Sequence, residues 1–182
     1  MGAVSLETKR LILRLWREED AQQLYELCRD PEIGPAAGWP AHRSVEESLE
    51  VIRNVFDPDR TWAVTLRGED LAIGCVGLKP TTAVSGDEPE LGYWVGRVHW
   101  GNGYIPEAAG AVLEHCFTAL GARRVWCAHY EGNERSRRVI EKCGFVPALS
   151  RIEDVKLMNE QRLCHYYALT AQQWRARREE RL

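Results

Sequence analysis

Residues 90–107 read Glu-Leu-Gly-Tyr-Trp-Val-Gly-Arg-Val-His-Trp-Gly-Asn-Gly-Tyr-Ile-Pro-Glu. The stretch opens as a strand from Glu90 to Val95, passes through a turn punctuated by glycines and enters a helix. That helix, Ile105 to Leu120, carries Ala109, Val112, Leu113, Cys116, Phe117 and Leu120 as one apolar stripe. Pro106 suits its first turn and Gly121 its stop. Successive backbone N–H groups around Gly101 to Ile105, together with the positive helix end, can hold a pyrophosphate, and glycines permit the close approach. A glycine pair before a helix is equally the mark of an ordinary tight turn, so this segment sets the fold sooner than the function.

Working outward, Val125 to Ala128 reads as a short strand. Asn133 then opens a helix with Val139, Ile140 and Cys143 on one face and Gly144 at its stop, followed by strand-like Phe145-Val146 and Leu163 to Leu169. Upstream, Arg10 to Trp16 alternates with a period of two, a strand signature, and from Glu18 the period changes to that of a helix closed by Asp30-Pro31. Gly34 to His42 reads as a loop rich in Gly, Pro and Ala. Ser44-x-x-Glu47 is a capping box that starts a second helix through Val45, Leu49, Ile52 and Phe56. Thr61 to Leu66, Leu71 to Leu78 and Glu90 to Val95 are three strands whose short connections favour an antiparallel meander. The order predicts an α/β (α+β) fold: a mixed, mostly antiparallel central sheet, helices on both faces and a central β-α-β unit. Ligands in such sheets gather where strands end and helix N-termini arrive.

The chain has 182 residues, enough for one sizeable core, with 45% apolar and 28% charged residues and a net charge of −3. That balance excludes a global basic field for nucleic acid, and the N-terminus lacks the apolar run of a membrane span or signal peptide. Six scattered cysteines without C-x-x-C spacing read as buried thiols in a reducing, cytoplasmic setting rather than a metal cluster or disulfide framework. Arg175, Arg177, Arg178 and Arg181, interrupted by Glu179 and Glu180, make residues 171–182 a charged tail or helix end after a single domain over 1–170.

A second motif is Asn133-Glu-Arg-Ser-Arg-Arg-Val-Ile-Glu-Lys-Cys-Gly-Phe145. Asn133 and Ser136, three residues apart, share a helix face, and Ser136 is in register with the buried row. The plainer reading makes Asn133 an N-cap and Ser136 an ordinary first-turn residue.

Taken together, the two motifs resemble the GNAT superfamily of acyl-CoA-dependent N-acetyltransferases, particularly its Rim-type branch of ribosomal-protein N-terminal acetyltransferases. Glu7-Thr-Lys-Arg-Leu-Ile-Leu-Arg14 is similar to how that branch begins, and the resemblance runs to about Leu169. It implies acetyl-CoA as acyl donor and a primary amine as acceptor, either a protein N-terminus or a small molecule, with no metal. The family's Q/R-x-x-G-x-G/A signature falls on Val98 to Gly103, with Val98 departing from it and the backbone making the contacts. The implied cofactor set is Val95, Val98, Gly101, Asn102, Gly103, Tyr104, Ile105, Asn133 and Ser136. Arg97 either neutralises phosphate or is a surface arginine.

By the same resemblance, Ser136 donates a proton or hydrogen bond to the departing thiolate, with Tyr130 the alternative donor. Glu90 acts through water as general base, because direct transfer needs a neutral amine, and Glu88 is its substitute. Trp39 and His42, in the position of the family's acceptor-binding loop, wall or contact the acceptor alongside Glu90, or simply pin the loop. Asp87-Glu88-Pro89 and Glu153-Asp154 add negative potential for a cationic amine. A covalent route through Cys127 lacks an activated thiol. The competing classes are a noncatalytic acyl-CoA sensor and a nucleotide-phosphate protein, the latter without a Walker lysine. A monomer or weak homodimer is expected.

Overall fold

The computed structural model describes residues 4–84 and 87–180. Eight strands form one sheet: β1 (Leu6–Glu7), β2 (Leu11–Leu15), β3 (Thr61–Leu66), β4 (Ala72–Pro80), β5 (Pro89–Val95), β6 (Arg124–Tyr130), β7 (Val146–Val155) and β8 (Glu160–Thr170). Six helices accompany them: α1 (Ala21–Cys28), α2 (Gly34–Ala37), α3 (Val45–Asn54), α4 (Tyr104–Thr118), α5 (Glu134–Cys143) and α6 (Ala171–Glu179). The spatial order is β1-β2-β3-β4-β5-β6-β8-β7, and the β5–β6 pair is parallel while the others are antiparallel. The expected mixed sheet, its β3-to-β5 meander and the β5-α4-β6 crossover are all present.

The main core forms where one sheet face meets α4. Leu11, Leu13, Val64, Val76, Leu78 and Leu91 lie beneath the helix's Ala108, Ala109, Val112, Leu113, Cys116 and Phe117. α1 lies against β4 and α3 against α1. Ser44 caps α3 by accepting from the Glu47 N–H. The fully buried residue of α3 is Ser48 rather than one of its apolar row, because the Ser48 hydroxyl bonds His42 Nδ1 at 2.7 Å.

Three elements depart from the sequence reading. The loop from Gly34 to His42 contains a single helical turn, α2, with Pro35 in its first turn and left-handed Gly38 at its end. The strand read at Phe145-Val146 continues to Val155 and pairs along β8. Most of its side chains are exposed, so it carries no apolar alternation to reveal it. Residues 171–179 form α6, capped by Thr170 and docked through Trp174 onto Phe117 at 5.2 Å between ring centroids. Arg181 lies outside the described residues.

Arg14 ties β2 to the segment before α1 and to the β3–β4 turn. Its Nη1 and Nη2 donate to the two Asp20 carboxylate oxygens at 2.8 Å each, and its Nε donates to Asp70 Oδ1 at 2.6 Å. The remaining donors reach the Leu15 and Asp70 carbonyls. All five guanidinium donors are thus satisfied on a side chain only 9% exposed. Arg14→Met leaves the Asp20 carboxylate buried without its partner, and urea denaturation should show a loss of about 3 kcal/mol.

Candidate active site

β5 pairs with β6 at only two positions, Glu90 with Trp126 and Leu91 with Cys127, although β5 continues to Val95 and β6 to Tyr130. Beyond Leu91 the strands part. The Gly96 N–H turns toward β4, bonding the Ile73 carbonyl, so strand alternation turns the main-chain groups of Tyr93 and Val95 toward the gap. The gap opens into a cavity of about 920 Å³.

The N-terminus of α4 reaches this cavity. Gly101 and Gly103 have φ of 79° and 75°, a left-handed conformation that glycine adopts without strain. Gly103 is the N-cap and supplies no side chain to the first-turn N–H groups, which are left for another acceptor. A Cβ added at Gly101 meets nothing within 4 Å, so the turn's outer face is open. Its inner side is anchored from the start of the chain. Arg10 Nη1 donates to the Asn102 carbonyl at 3.0 Å and Arg10 Nε to Glu107 at 2.6 Å, while Glu107 also accepts from the Thr8 hydroxyl and the Arg10 N–H. The Arg10 guanidinium lies over the Tyr104 ring at 4.8 Å. The Thr8-Lys-Arg10 segment therefore sets the turn's position.

The N-terminus of α5 reaches the cavity from the other strand. Asn133 Oδ1 accepts from the Ser136 N–H at 3.1 Å and Asn133 Nδ2 donates to the Ala36 carbonyl at 3.2 Å, so the asparagine caps α5 and tethers α2 together. Ser136 Oγ lies 3.0 Å from the Tyr93 hydroxyl, which is also within 3.1 Å of the Ser136 carbonyl. Burial holds the Tyr93 phenol well above its ordinary pKa, so it remains a neutral donor. The sequence reading passed over Tyr93. Its position in β5, three residues from Glu90, was the available signal, but alternation alone assigns it to the core.

Residues 10–146 match the family model described as the acetyltransferase (GNAT) domain. The chain belongs to the GNAT acetyltransferase family. It is 30% identical over 145 residues to the uncharacterized N-acetyltransferase YoaA of Bacillus subtilis, covering 77% of this chain and 81% of that protein. It is 28% identical over 171 residues to the uncharacterized N-acetyltransferase YnaD of the same organism, covering 93% of this chain and 98% of that one. Among solved structures, a GNAT-family acetyltransferase from Bacillus anthracis superposes with a TM-score of 0.81 at 20% identity, covering 93% of this chain and 99% of that chain. The ribosomal-protein-S5-alanine acetyltransferase from Vibrio fischeri superposes with a TM-score of 0.70 at 20% identity, covering 94% and 98%. The family resemblance drawn from the two motifs is thereby borne out, and this GNAT protein is an acetyltransferase.

The remaining GNAT site residues divide. Val95, Gly101, Gly103, Tyr104, Ile105, Asn133, Ser136, Glu90 and Trp39 all border the main cavity. Val98 instead points to solvent, 84% exposed, and Asn102 lines a smaller cavity of about 420 Å³ on the other side of the turn. Any part either plays in the site falls to its main chain. Arg97 pairs with Asp30 and Glu32, which fits the surface-arginine reading. Among the described residues, the cavity wall forms without His42, whose Nδ1 is held by buried Ser48 and whose ring stands 5.4 Å from that of Trp39. Burial lowers the His42 pKa, so it is neutral at pH 7 and pins the loop.

Glu90 is buried and doubly engaged, accepting from the Thr81 hydroxyl at 2.7 Å and pairing with Lys79 Nζ at 3.1 Å. Burial alone would lower the Lys79 pKa, but the Glu90 charge and hydrogen bond, with smaller contributions from Tyr130 and Cys164, together outweigh it and the net shift is upward. Glu88 is occupied elsewhere by Arg124 and the Trp126 indole. Tyr130, Glu153 and Asp154 border the cavity, and the Tyr166 hydroxyl donates to Glu153 at 2.6 Å. Burial drives the Cys127 thiol far above its ordinary pKa, which leaves it un-ionised and unsuited to attack.

The Glu107 clamp gives a pH signature. Burial would raise the Glu107 pKa from its ordinary 4.5, but bonds from Thr8 and Arg10 outweigh burial and lower it. A folded pKa below the unfolded one contributes stability that is full above about pH 4.5 and fades as pH falls through the folded value. The stability gap between wild type and Glu107→Gln in urea should therefore be present at pH 7 and shrink below about pH 4.5.

Proposed function

We propose that this protein transfers acetyl from acetyl-CoA to the nitrogen of a primary amine, directly, in a ternary complex. The observation that carries this reading is the single cavity in the β5–β6 gap. It brings together the glycine turn, the Ser136–Tyr93 hydroxyl pair and the Glu90 carboxylate. The residues fit the donor. Uncapped α4 amides suit the pyrophosphate, and the gap-facing N–H groups of Tyr93 and Val95 suit the amides of an extended pantetheine arm.

In this reading the amine nitrogen adds to the thioester carbon and the carbon–sulfur bond then breaks. A gap-facing N–H of β5 stabilises the negative oxygen that develops. Ser136 gives its hydroxyl proton or a hydrogen bond to the departing sulfur, Tyr93 orients Ser136 through their hydroxyl contact, and solvent restores any proton lost. Glu90 receives the amine's proton through water. Asn133 positions Ser136 and borders the donor. Trp39 walls the acceptor, which is a protein N-terminus or a small-molecule amine. The acetyltransferase domain spans residues 1–170 with α6 docked against it. A reducing cytoplasm suits its buried thiols, of which Cys75 and Cys116 are pushed up to about 12.

Prior engagement of Glu90 by Lys79 and Thr81 is the one observation that favours a noncatalytic acyl-CoA-binding module. Two substitutions separate the readings. Ser136→Ala and Glu90→Gln should each lower kcat for acetyl-CoA-dependent acetylation by about 100-fold, while the acetyl-CoA Kd from calorimetry stays within about threefold. Unchanged turnover in both would remove their assigned roles, and acetyl-CoA binding without turnover of any amine would favour the sensor. Tyr93→Phe, which keeps the ring and removes the hydroxyl, should cost kcat about tenfold with little change in KM for acetyl-CoA.

A further inference from the structure

The β4–β5 register places Cys75 opposite Trp94, Gly77 opposite Gly92 and Lys79 opposite Glu90. Residues two apart along a strand share a face, so these pairs are three consecutive rungs on one face. The middle rung carries no side chain on either strand. Glycine weakens a strand interior and marks a bulge, a close backbone contact or an approaching ligand. The β4–β5 pairing runs through this rung without a shift, which excludes a bulge. At Gly77 a Cβ would crowd the Arg60 carbonyl at 3.2 Å, so neighbouring backbone accounts for that glycine. At Gly92 a Cβ would meet nothing within 4 Å, and nothing in the packing of the described residues requires a glycine there.

The space above Gly92 belongs to the main cavity and has two unlike ends. One end is aromatic. Trp94, Trp39 and Phe56 border it, with Trp16 behind them at 5.2 Å from Phe56 and 6.1 Å from Trp94, and Trp39 stands edge-on to Trp94 at 6.2 Å. The other end is the Lys79–Glu90 ion pair. The result is a trough with a bare backbone floor, ring walls and a carboxylate at the end where β5 and β6 are still paired.

We propose that this trough seats an aromatic ring of the acceptor, which makes the acceptor an arylalkyl primary amine. The ring lies on Gly92 against Trp94, and its short tether delivers the nitrogen toward Glu90. A flat ring fits a floor without side chains, and contacts with the bordering rings add to the burial of its area. The inference rests on the acetyltransferase reading of the same cavity. Three sources share this chemistry: a free arylalkylamine, an aromatic amino-acid derivative and a peptide with an N-terminal aromatic residue.

The experiment is a thiol-release assay with acetyl-CoA and matched pairs: 2-phenylethylamine against ethylamine, phenylalaninamide against alaninamide, and a peptide beginning Phe against the same peptide beginning Ala. Wild type should favour the aromatic member by at least about thirtyfold in kcat/KM in one or more pairs, and that pair identifies the source. Gly92→Val should reduce this ratio to within about threefold at an unchanged melting temperature. Gly92→Ala, whose added carbon meets no neighbour, is the milder variant if valine disturbs the fold and should shift the ratio the same way. Acetylation without aromatic preference, or a preference that survives both variants, overturns the subsite and leaves the acetyltransferase reading standing. No turnover of any amine in the presence of acetyl-CoA overturns both.

Discussion

The parting of β5 from β6 after Leu91 is the constraint on which the rest of the site depends. A parallel pair that stops after two residues leaves main-chain donors and acceptors without a ladder, and such groups need other partners. Some are found within the chain: the Trp100 indole donates to the Val95 carbonyl at 3.0 Å. The crossover connection then brings the α4 N-terminus to one side of the gap, and α5, following β6, brings a second N-terminus to the other. Two positive helix ends converge on one opening. The α4 amides reach one part of the cavity, while Glu90, paired with Lys79, borders another together with Glu153 and Asp154.

What could be read from the sequence was what local chemistry enforces. Gly101, Gly103 and Gly144 mark turns because each adopts a left-handed φ, and Asn133 marks a helix start because it satisfies an otherwise orphaned N–H. Alternation exposed β2, and turn-type segments set off β3, β4 and β5. Periodicity failed for β7, an edge strand with little to bury on either face, and for α2, a single turn too short to show a period. The candidate site was half legible. Glu90, Ser136 and the turn were picked out from the two motifs, but Tyr93 meets Ser136 across 43 residues of sequence. His42 was named for its place in the Gly34–His42 loop, and its bond to Ser48 could not be read from the sequence.

The segment around α2 is not an independent loop laid over the sheet. Glu32 pairs with Arg97 beside the phosphate turn and with Arg135 on α5, and Arg135 stacks on Trp100 at 3.8 Å. Exposed ion pairs of this kind contribute little stability one by one. The bonds to backbone are more directional: Asn133 Nδ2 to the Ala36 carbonyl, and Arg162 Nη1 to the Pro35 carbonyl at 2.5 Å. Gly34 reinforces the arrangement, because a Cβ there would fall 2.4 Å from the Trp39 ring. Trp39 can therefore reach the cavity only while α2 holds this position, and α2 is held in part by the residue that caps α5 and orients Ser136. Asn133 thereby couples the geometry of the α5 N-terminus and Ser136 to that of α2 and Trp39, so that a change at either is felt at both.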